Sequence, residues 1–182
     1  MLHGKQLTSL CAGAVLISLW LSAPSIYGVE VMGARIDFLK AVHAAIRFLK
    51  EKSPDDYAVV ERYIPRVKEV RSWHISGMAM HLHPPTFLMA RSTALYSVTW
   101  AASALAHDAC HSRQWHKYSE AHKTKYVPGN AWSGQAAELE CLAYQAEVLR
   151  RLKAPEHEIQ HVLSADGRHS ERRLRYPPSA WE

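Results

Sequence analysis

The segment from Tyr96 to Ala106 contains no charged residue and reads Tyr-Ser-Val-Thr-Trp-Ala-Ala-Ser-Ala-Leu-Ala. At about 100° per residue, its apolar side chains fall on all sides of a helix, which we predict to run over residues 96–118. A helix that is apolar all round is buried in the interior of a protein. The rest of the chain must therefore fold around this helix.

The predicted buried helix also carries two histidines, His107 and His111, with Asp108 between them. A spacing of four residues places both imidazoles on one side of a helix, where they can point at a common atom. Two imidazoles and a carboxylate are costly to bury without partners, and a metal ion offsets that cost. We therefore predict a metal site here. The alternative is a pair of core histidines that hydrogen-bond to the backbone or to acids.

A second pair, His157 and His161, matches the zinc-peptidase pattern His-Glu-x-x-His letter for letter. With 12 histidines among 182 residues, about one pair at this spacing is expected by chance. The apolar side of the short helix predicted over residues 156–164 lies opposite both histidines and consists of Ile159, Val162 and Leu163. The two rings are therefore expected to face solvent, whereas a catalytic site needs a fixed and partly dry environment. The pair in the buried helix is the better candidate.

A third ligand is predicted on the next long helix, over residues 133–153, with Ser133 as its N-cap. Glu138 lies in the centre of the apolar stripe of this helix, which is formed by Cys141, Leu142, Gln145, Leu149 and Leu152. An acid in such a stripe needs a partner, and zinc sites commonly take a carboxylate from a following helix. Glu140 falls on the opposite, solvated face. We predict Glu138 as the third ligand; the alternative is a buried pair with an arginine or a histidine.

The other segments predict a mainly helical α+β fold. Residues 34–52 have the periodicity of an amphipathic helix, and Ser53-Pro54-Asp55-Asp56 starts a second helix that runs to about Tyr63. After residue 66 the pattern changes to an alternation of apolar and polar residues. It predicts a small antiparallel sheet with strands near 67–74, 77–83 and 86–90. The length fits one domain over residues 29–182.

Residues 1–28 predict a signal peptide or an N-terminal membrane anchor. Lys5 precedes an uncharged run of 15 residues from Leu7 to Leu21, which Ser22-Ala23-Pro24-Ser25 ends. This run suits the apolar part of a signal peptide better than a complete membrane span. Cleavage is expected near Ala23 or Gly28. We expect a secreted or periplasmic protein, or one held outside the cytoplasm by its anchor.

Two cysteines, Cys110 and Cys141, follow residue 28, and export would place both in an oxidising compartment. In an oxidising compartment an even pair predicts one disulfide. Two free thiols, or one thiol acting as a metal ligand, are the alternatives.

The net charge of +5 is dispersed along the chain, apart from four arginines near its end. No groove-reading motif accompanies the basic residues. Nucleic acid is therefore not expected to be a partner.

Two segments of the chain together resemble a known family. They are Ala106-His107-Asp108-Ala109-Cys110-His111-Ser112 and Trp132-Ser133-Gly134-Gln135-Ala136-Ala137-Glu138, with continuations at Cys141, Tyr144-Gln145 and Leu149-Arg150-Arg151-Leu152. The arrangement is similar to small zincin-like proteins related to the gluzincin metallopeptidases, over about residues 60–170. The resemblance implies a Zn²⁺ ion held by His107, His111 and Glu138, with a water as the fourth ligand. It also implies a small sheet beside the active-site helix and a peptide or protein as substrate.

The resemblance further implies a catalytic role for Asp108, which occupies the position where active peptidases usually carry glutamate. Such a residue takes a proton from the attacking water. The side chain of aspartate is one methylene shorter than that of glutamate, so it reaches about 1.5 Å less far. The alternative role of Asp108 is to orient His107. The leading hypothesis is thus a zinc-dependent hydrolase, most readily a peptidase. A non-catalytic zincin-like module that binds metal or a protein, and a metal-free helical interaction protein, are the alternatives.

Overall fold

A computed structural model describes residues 28–71 and 76–168, together with the backbone of residues 21–26. Its strands are β1 Leu21–Ile26, β2 Val29–Gly33, β3 Arg66–Val70, β4 Gly77–Ala79 and β5 Thr86–Ala90. Its helices are α1 Ile36–Lys52, α2 Pro54–Tyr63, α3 Arg91–Tyr96, α4 Val98–Ala121, α5 Gln135–Arg151 and α6 Glu156–Leu163, with a short 3-10 turn at Gly129–Ala131. The chain is therefore mainly helical with one small sheet, which confirms the predicted α+β class.

The central element is α4, which packs against α1, α2, α3 and α5. Residues 101–106 of this helix are all buried, as its lack of charge predicts. The helix begins at Val98 and not at residue 96, because Ser97 is its N-cap and accepts a hydrogen bond from the backbone N–H of Trp100. The break at Ser97 leaves α3 as a separate helix.

The sheet has the strand order β1-β2-β3-β5-β4. Strand β3 pairs in parallel with both β2 and β5, and only the two outer pairs, β1–β2 and β4–β5, are antiparallel. The prediction of an antiparallel sheet is therefore wrong. Helices α1 and α2 form a crossover between β2 and β3, and such a crossover returns the chain to the same edge so that both strands run in one direction.

The strand bounds also differ from those predicted. Strand β2, with Val29 and Val31 buried, was not predicted. Strand β3 ends at Val70, and residues 72–75 lie outside the described part of the chain. Strand β4 ends at Ala79 because the chain turns from Met80 onward.

The two helices predicted before the sheet are present. In α1 the buried residues recur at three- and four-residue spacing and include Phe38, Val42, Ile46 and Leu49. In α2 the first position is Pro54, as predicted. The long helix α5 begins at Gln135, and its N-cap is Gly134, one residue after the predicted cap. The hydroxyl of Ser133 donates to the carbonyl of Gly129 instead.

The predicted signal or anchor segment falls mostly on residues 1–20, which lie outside the described residues. Its last part, Leu21–Ile26, forms β1 against β2. Among the helices described, none combines the length and apolar character needed to cross a membrane.

Candidate metal centre

The three predicted ligands meet at one point between α4 and α5. The Nε2 atoms of His107 and His111 lie 3.0 Å apart. One carboxylate oxygen of Glu138 is 3.2 Å from Nε2 of His107, and the other is 3.0 Å from Nε2 of His111. Among the described residues this is the one group of three or more histidine, cysteine or acidic side chains arranged to hold a metal ion.

Local structure explains this convergence. His107 and His111 are one turn apart on α4, so their rings project from the same side and lie with centroids 4.7 Å apart. Glu138 lies in the first turn of α5, which packs along α4. Its side chain is buried at 4% exposure, whereas Glu140 is exposed. The predicted inward position of Glu138 and solvent position of Glu140 are therefore confirmed.

A backbone contact fixes the orientation of His111. Its Nδ1–H donates to the carbonyl oxygen of Trp132 over 2.6 Å, in the turn before α5. With the proton on Nδ1, the lone pair of Nε2 points toward Glu138. Metal-ligating histidines typically make such a contact through the nitrogen that does not bind the metal.

The contact between the His111 imidazole and the Glu138 carboxylate requires a proton or a metal ion between the two groups. Nε2 of His111 and a carboxylate oxygen of Glu138 are both acceptors at 3.0 Å when the ring is neutral. Burial lowers the pKa of His111, but the hydrogen bond to Glu138 and the charge of Asp108 outweigh burial and raise it above its ordinary value. A metal ion would replace that proton between the same atoms. The cluster therefore could hold a metal ion.

The donor set narrows the kind of metal. Two imidazole nitrogens and one carboxylate oxygen are the protein ligands of many catalytic zinc sites, which keep the fourth position open. The same donors also hold ferrous iron in oxygenases. These residues thus fit zinc, but they do not by themselves select it over other first-row metals.

Asp108 lies beside the ligands and is buried at 5% exposure. It lines the same cleft as His107, His111 and Glu138, and its charge helps to raise the pKa of His111. Its place in the cleft suits the role of a base. As an orienting partner it acts on His111 through its charge, since Nδ1 of His107 has no hydrogen-bond partner in the described part of the chain.

A cleft of about 420 Å³ gives access to the ligands. Sequence reasoning gave no place in this cleft to several of the residues that line it: Ser76, Thr93, Trp100, Gln145 and His161. Gln145 carried a signal, because it is a polar residue in the apolar stripe of α5. It is buried, and its amide donates to the hydroxyl of Ser103 on α4 over 3.2 Å. The others depend on how distant elements pack.

The second histidine pair faces solvent, as predicted. His157 and His161 are exposed, and they belong to no metal-ligand group among the described residues. The buried side of α6 differs from the prediction, because Leu163 is 49% exposed and Glu158 is only 2% exposed. The literal zinc-peptidase pattern therefore directs its glutamate inward and its histidines outward.

Cys110 and Cys141 are buried free thiols that contact each other between α4 and α5. The hydrogen bond from Cys141 lowers the pKa of Cys110, and burial raises the pKa of Cys141. No disulfide joins them in the structure, and the predicted bond remains a prediction. Neither thiol belongs to the three-residue ligand group.

Comparisons with protein-family models, with curated proteins and with solved structures gave no match for this chain. The function is therefore inferred from the chemistry of the site.

Proposed function

We propose that this protein is a zinc-dependent hydrolase that cleaves peptides, with Zn²⁺ held by His107, His111 and Glu138. The observation that carries the proposal is the meeting of these three donors within 3.0 to 3.2 Å of one another at the bottom of a cleft. The likeness of the motif residues to zincin-like proteins related to gluzincins agrees with this function.

Bound zinc would lower the pKa of a coordinated water toward about 7 and would polarise a substrate carbonyl. Asp108 lines the cleft and is the residue proposed to accept the proton of the attacking water. The turn that ends at Trp132 holds His111 in the orientation that binding needs. These groups would act in a partly dry site, where electrostatic interactions are strong.

A peptide substrate is supported by the edge of the sheet. Strand β4 is the last strand at one side, paired only with β5 among the described strands. Ser76, directly before β4, lines the cleft that contains the ligands. An extended peptide that added to β4 would therefore pass close to the metal centre.

A second candidate function is a non-catalytic zincin-like module that binds metal for stability or for contact with a protein. The observation that favours it is Asp108 itself, which is shorter than the glutamate of active peptidases. Reacting groups tolerate little error in position. For either function we propose a location outside the cytoplasm, on the basis of residues 1–28.

Metal analysis of the purified chain is the first test. We expect one zinc per chain, with loss of zinc in His111→Ala and retention in His161→Ala, the matched histidine at the rim of the cleft. Incubation with a mixed peptide library, with and without chelator, then separates a peptidase from a non-catalytic module. Absence of stoichiometric metal, or metal lost in His157→Ala and kept in His111→Ala, would overturn the site.

A further inference from the structure

A second cavity of about 350 Å³ adjoins the cleft and is walled by four rings in a row. We call it the aromatic pocket and define it by Tyr96, Trp100, His157 and His161. Each ring meets the next edge to face: the centroid distances are 6.5 Å for His157–Tyr96, 5.8 Å for Tyr96–Trp100 and 5.4 Å for Trp100–His161. Trp100 thus contacts both Tyr96 and His161, and all four rings line the same cavity.

A carboxylate also borders this pocket. Glu158 is 2% exposed, and its two oxygens accept hydrogen bonds from the hydroxyls of Ser97 at 2.6 Å and Thr99 at 2.7 Å. Both of these donors are neutral, and in the described part of the chain no lysine, arginine or histidine forms an ion pair with Glu158. An ionised carboxylate can accept further hydrogen bonds beyond these two.

The aromatic pocket and the metal cleft form one continuous surface, because Thr93, Trp100 and His161 line both cavities. The pocket is therefore open to a side chain of a peptide that lies in the cleft. Aromatic faces attract cations through the ring quadrupole, and the carboxylate adds an opposite charge. An apolar side chain would also fit between rings, but it would leave the carboxylate without a cation.

We propose that the aromatic pocket is a specificity subsite for the lysine or arginine side chain of a peptide. The claim that the bound peptide is also the substrate rests on the proposed function. The claim that the pocket binds a lysine or arginine side chain does not. The pocket makes Tyr96 and Trp100 residues that determine specificity, with Glu158 as the counter-charge. Since a cation–π contact strengthens binding by roughly 2- to 30-fold, lysine should be preferred over an uncharged isostere by that factor.

The test measures binding, so that it does not depend on turnover. Pairs of blocked peptides that differ only in lysine or norleucine at one position are titrated against the as-purified chain. Tryptophan fluorescence in the first seconds after mixing reports binding, and mass spectrometry of the same samples measures any cleavage separately. Tyr96 is 61% exposed, so replacing it leaves the core unchanged. We expect Tyr96→Leu to lose the lysine preference and Tyr96→Phe, which keeps the ring, to retain it.

Glu158→Gln is the second variant, because it keeps the shape of the side chain and removes its charge; circular dichroism checks that it folds. It should also reduce the lysine preference. Equal or tighter binding of norleucine by the wild-type chain would overturn the proposal, and so would a lysine preference that survives in both Tyr96→Leu and Glu158→Gln. Lysine preference without zinc-dependent hydrolysis of any peptide would refute the proposed function alone. Hydrolysis without lysine preference would refute the subsite alone.

Discussion

At the scale of single residues, the buried carboxylate of Glu138 is what completes a cluster that could hold a metal ion. Its carboxylate lies 3.0 to 3.2 Å from both imidazoles, while Glu140, two residues later, is exposed. We predict that Glu138→Gln lowers zinc affinity by 10-fold or more, because an amide is a much weaker zinc ligand than a carboxylate. Glu140→Gln is the matched control and should bind zinc like the wild-type chain.

Competition with a chromophoric zinc chelator measures both affinities under the same conditions. Equal affinities in the two variants would show that Glu138 is only a hydrogen-bond partner of the histidines. Loss of affinity in Glu140→Gln would place the metal outside the cleft.

Asp108 is the residue on which the proposed catalysis, as distinct from metal binding, would depend. Positioned general bases contribute about 10²- to 10⁴-fold to rate, so Asp108→Asn should reduce the zinc-dependent rate by that factor without loss of zinc. Asp108→Glu should keep activity, since it supplies a base with one more methylene. Peptide cleavage followed by mass spectrometry, with zinc content measured on the same samples, checks both results. An Asp108→Asn variant as active as the wild type would assign Asp108 to orienting its neighbours.

At the scale of elements, helices were predictable and strand pairing was not. The helical periodicity of α4 and of α5 is visible within each segment. The sequence alone could therefore show that Glu138 lies on the buried face of α5. The direction of β3 depends on β2 and on the crossover through α1 and α2, which no local pattern encodes. For the same reason the sheet was predicted with the wrong topology.

The aromatic pocket illustrates the same limit for the site. It forms because α6 packs beside the N-terminus of α4, where Glu158 meets the hydroxyls of Ser97 and Thr99 about 60 residues earlier in the chain. On a helical wheel Glu158 lies at the edge of the apolar side, one turn before Val162, and this position does not by itself predict burial. Only its distant partners explain why it is buried.

The contact between Cys110 and Cys141 permits a covalent link between α4 and α5. If the chain is exported, we predict that an oxidant of that compartment converts the two thiols to one disulfide. The link would close a loop of about 30 residues, which corresponds to about 3 to 4 kcal/mol of stabilisation in the chain-entropy view. Alkylation of unfolded, unreduced protein followed by mass spectrometry counts the free thiols.

A reductant should then lower the melting temperature of the wild-type chain and leave that of Cys141→Ser unchanged. Two alkylated cysteines per mature chain in exported protein would contradict the prediction.

At the scale of the whole molecule, hydrogen bonds to the buried carboxylate of Asp56 link α2 to α5. Asp56 accepts hydrogen bonds from the Arg151 guanidinium at 2.8 and 2.9 Å, from Tyr144 at 2.8 Å and from Ser53 at 2.5 Å. Burial favours the neutral acid, but the hydrogen bonds from Arg151, Ser53 and Tyr144 outweigh it and hold the pKa of Asp56 below its ordinary value. Because the folded state has the lower pKa, the network stabilises the protein above about pH 4 and stops doing so as pH falls below it.

Asp56→Asn should therefore lower the free energy of unfolding by about 2 kcal/mol at pH 7, since Ser53, Tyr144 and the partly exposed Arg151 lose a charged acceptor. Between pH 5 and pH 3 the wild-type chain should lose more stability than the variant, which has no charge left to lose at this position. Asp55→Asn is the matched control, because Asp55 is the exposed neighbour in the same turn. Urea unfolding of the three proteins at each pH gives the comparison. Parallel stability curves for the wild type and Asp56→Asn would show that the pairing of α2 with α5 does not depend on this charge.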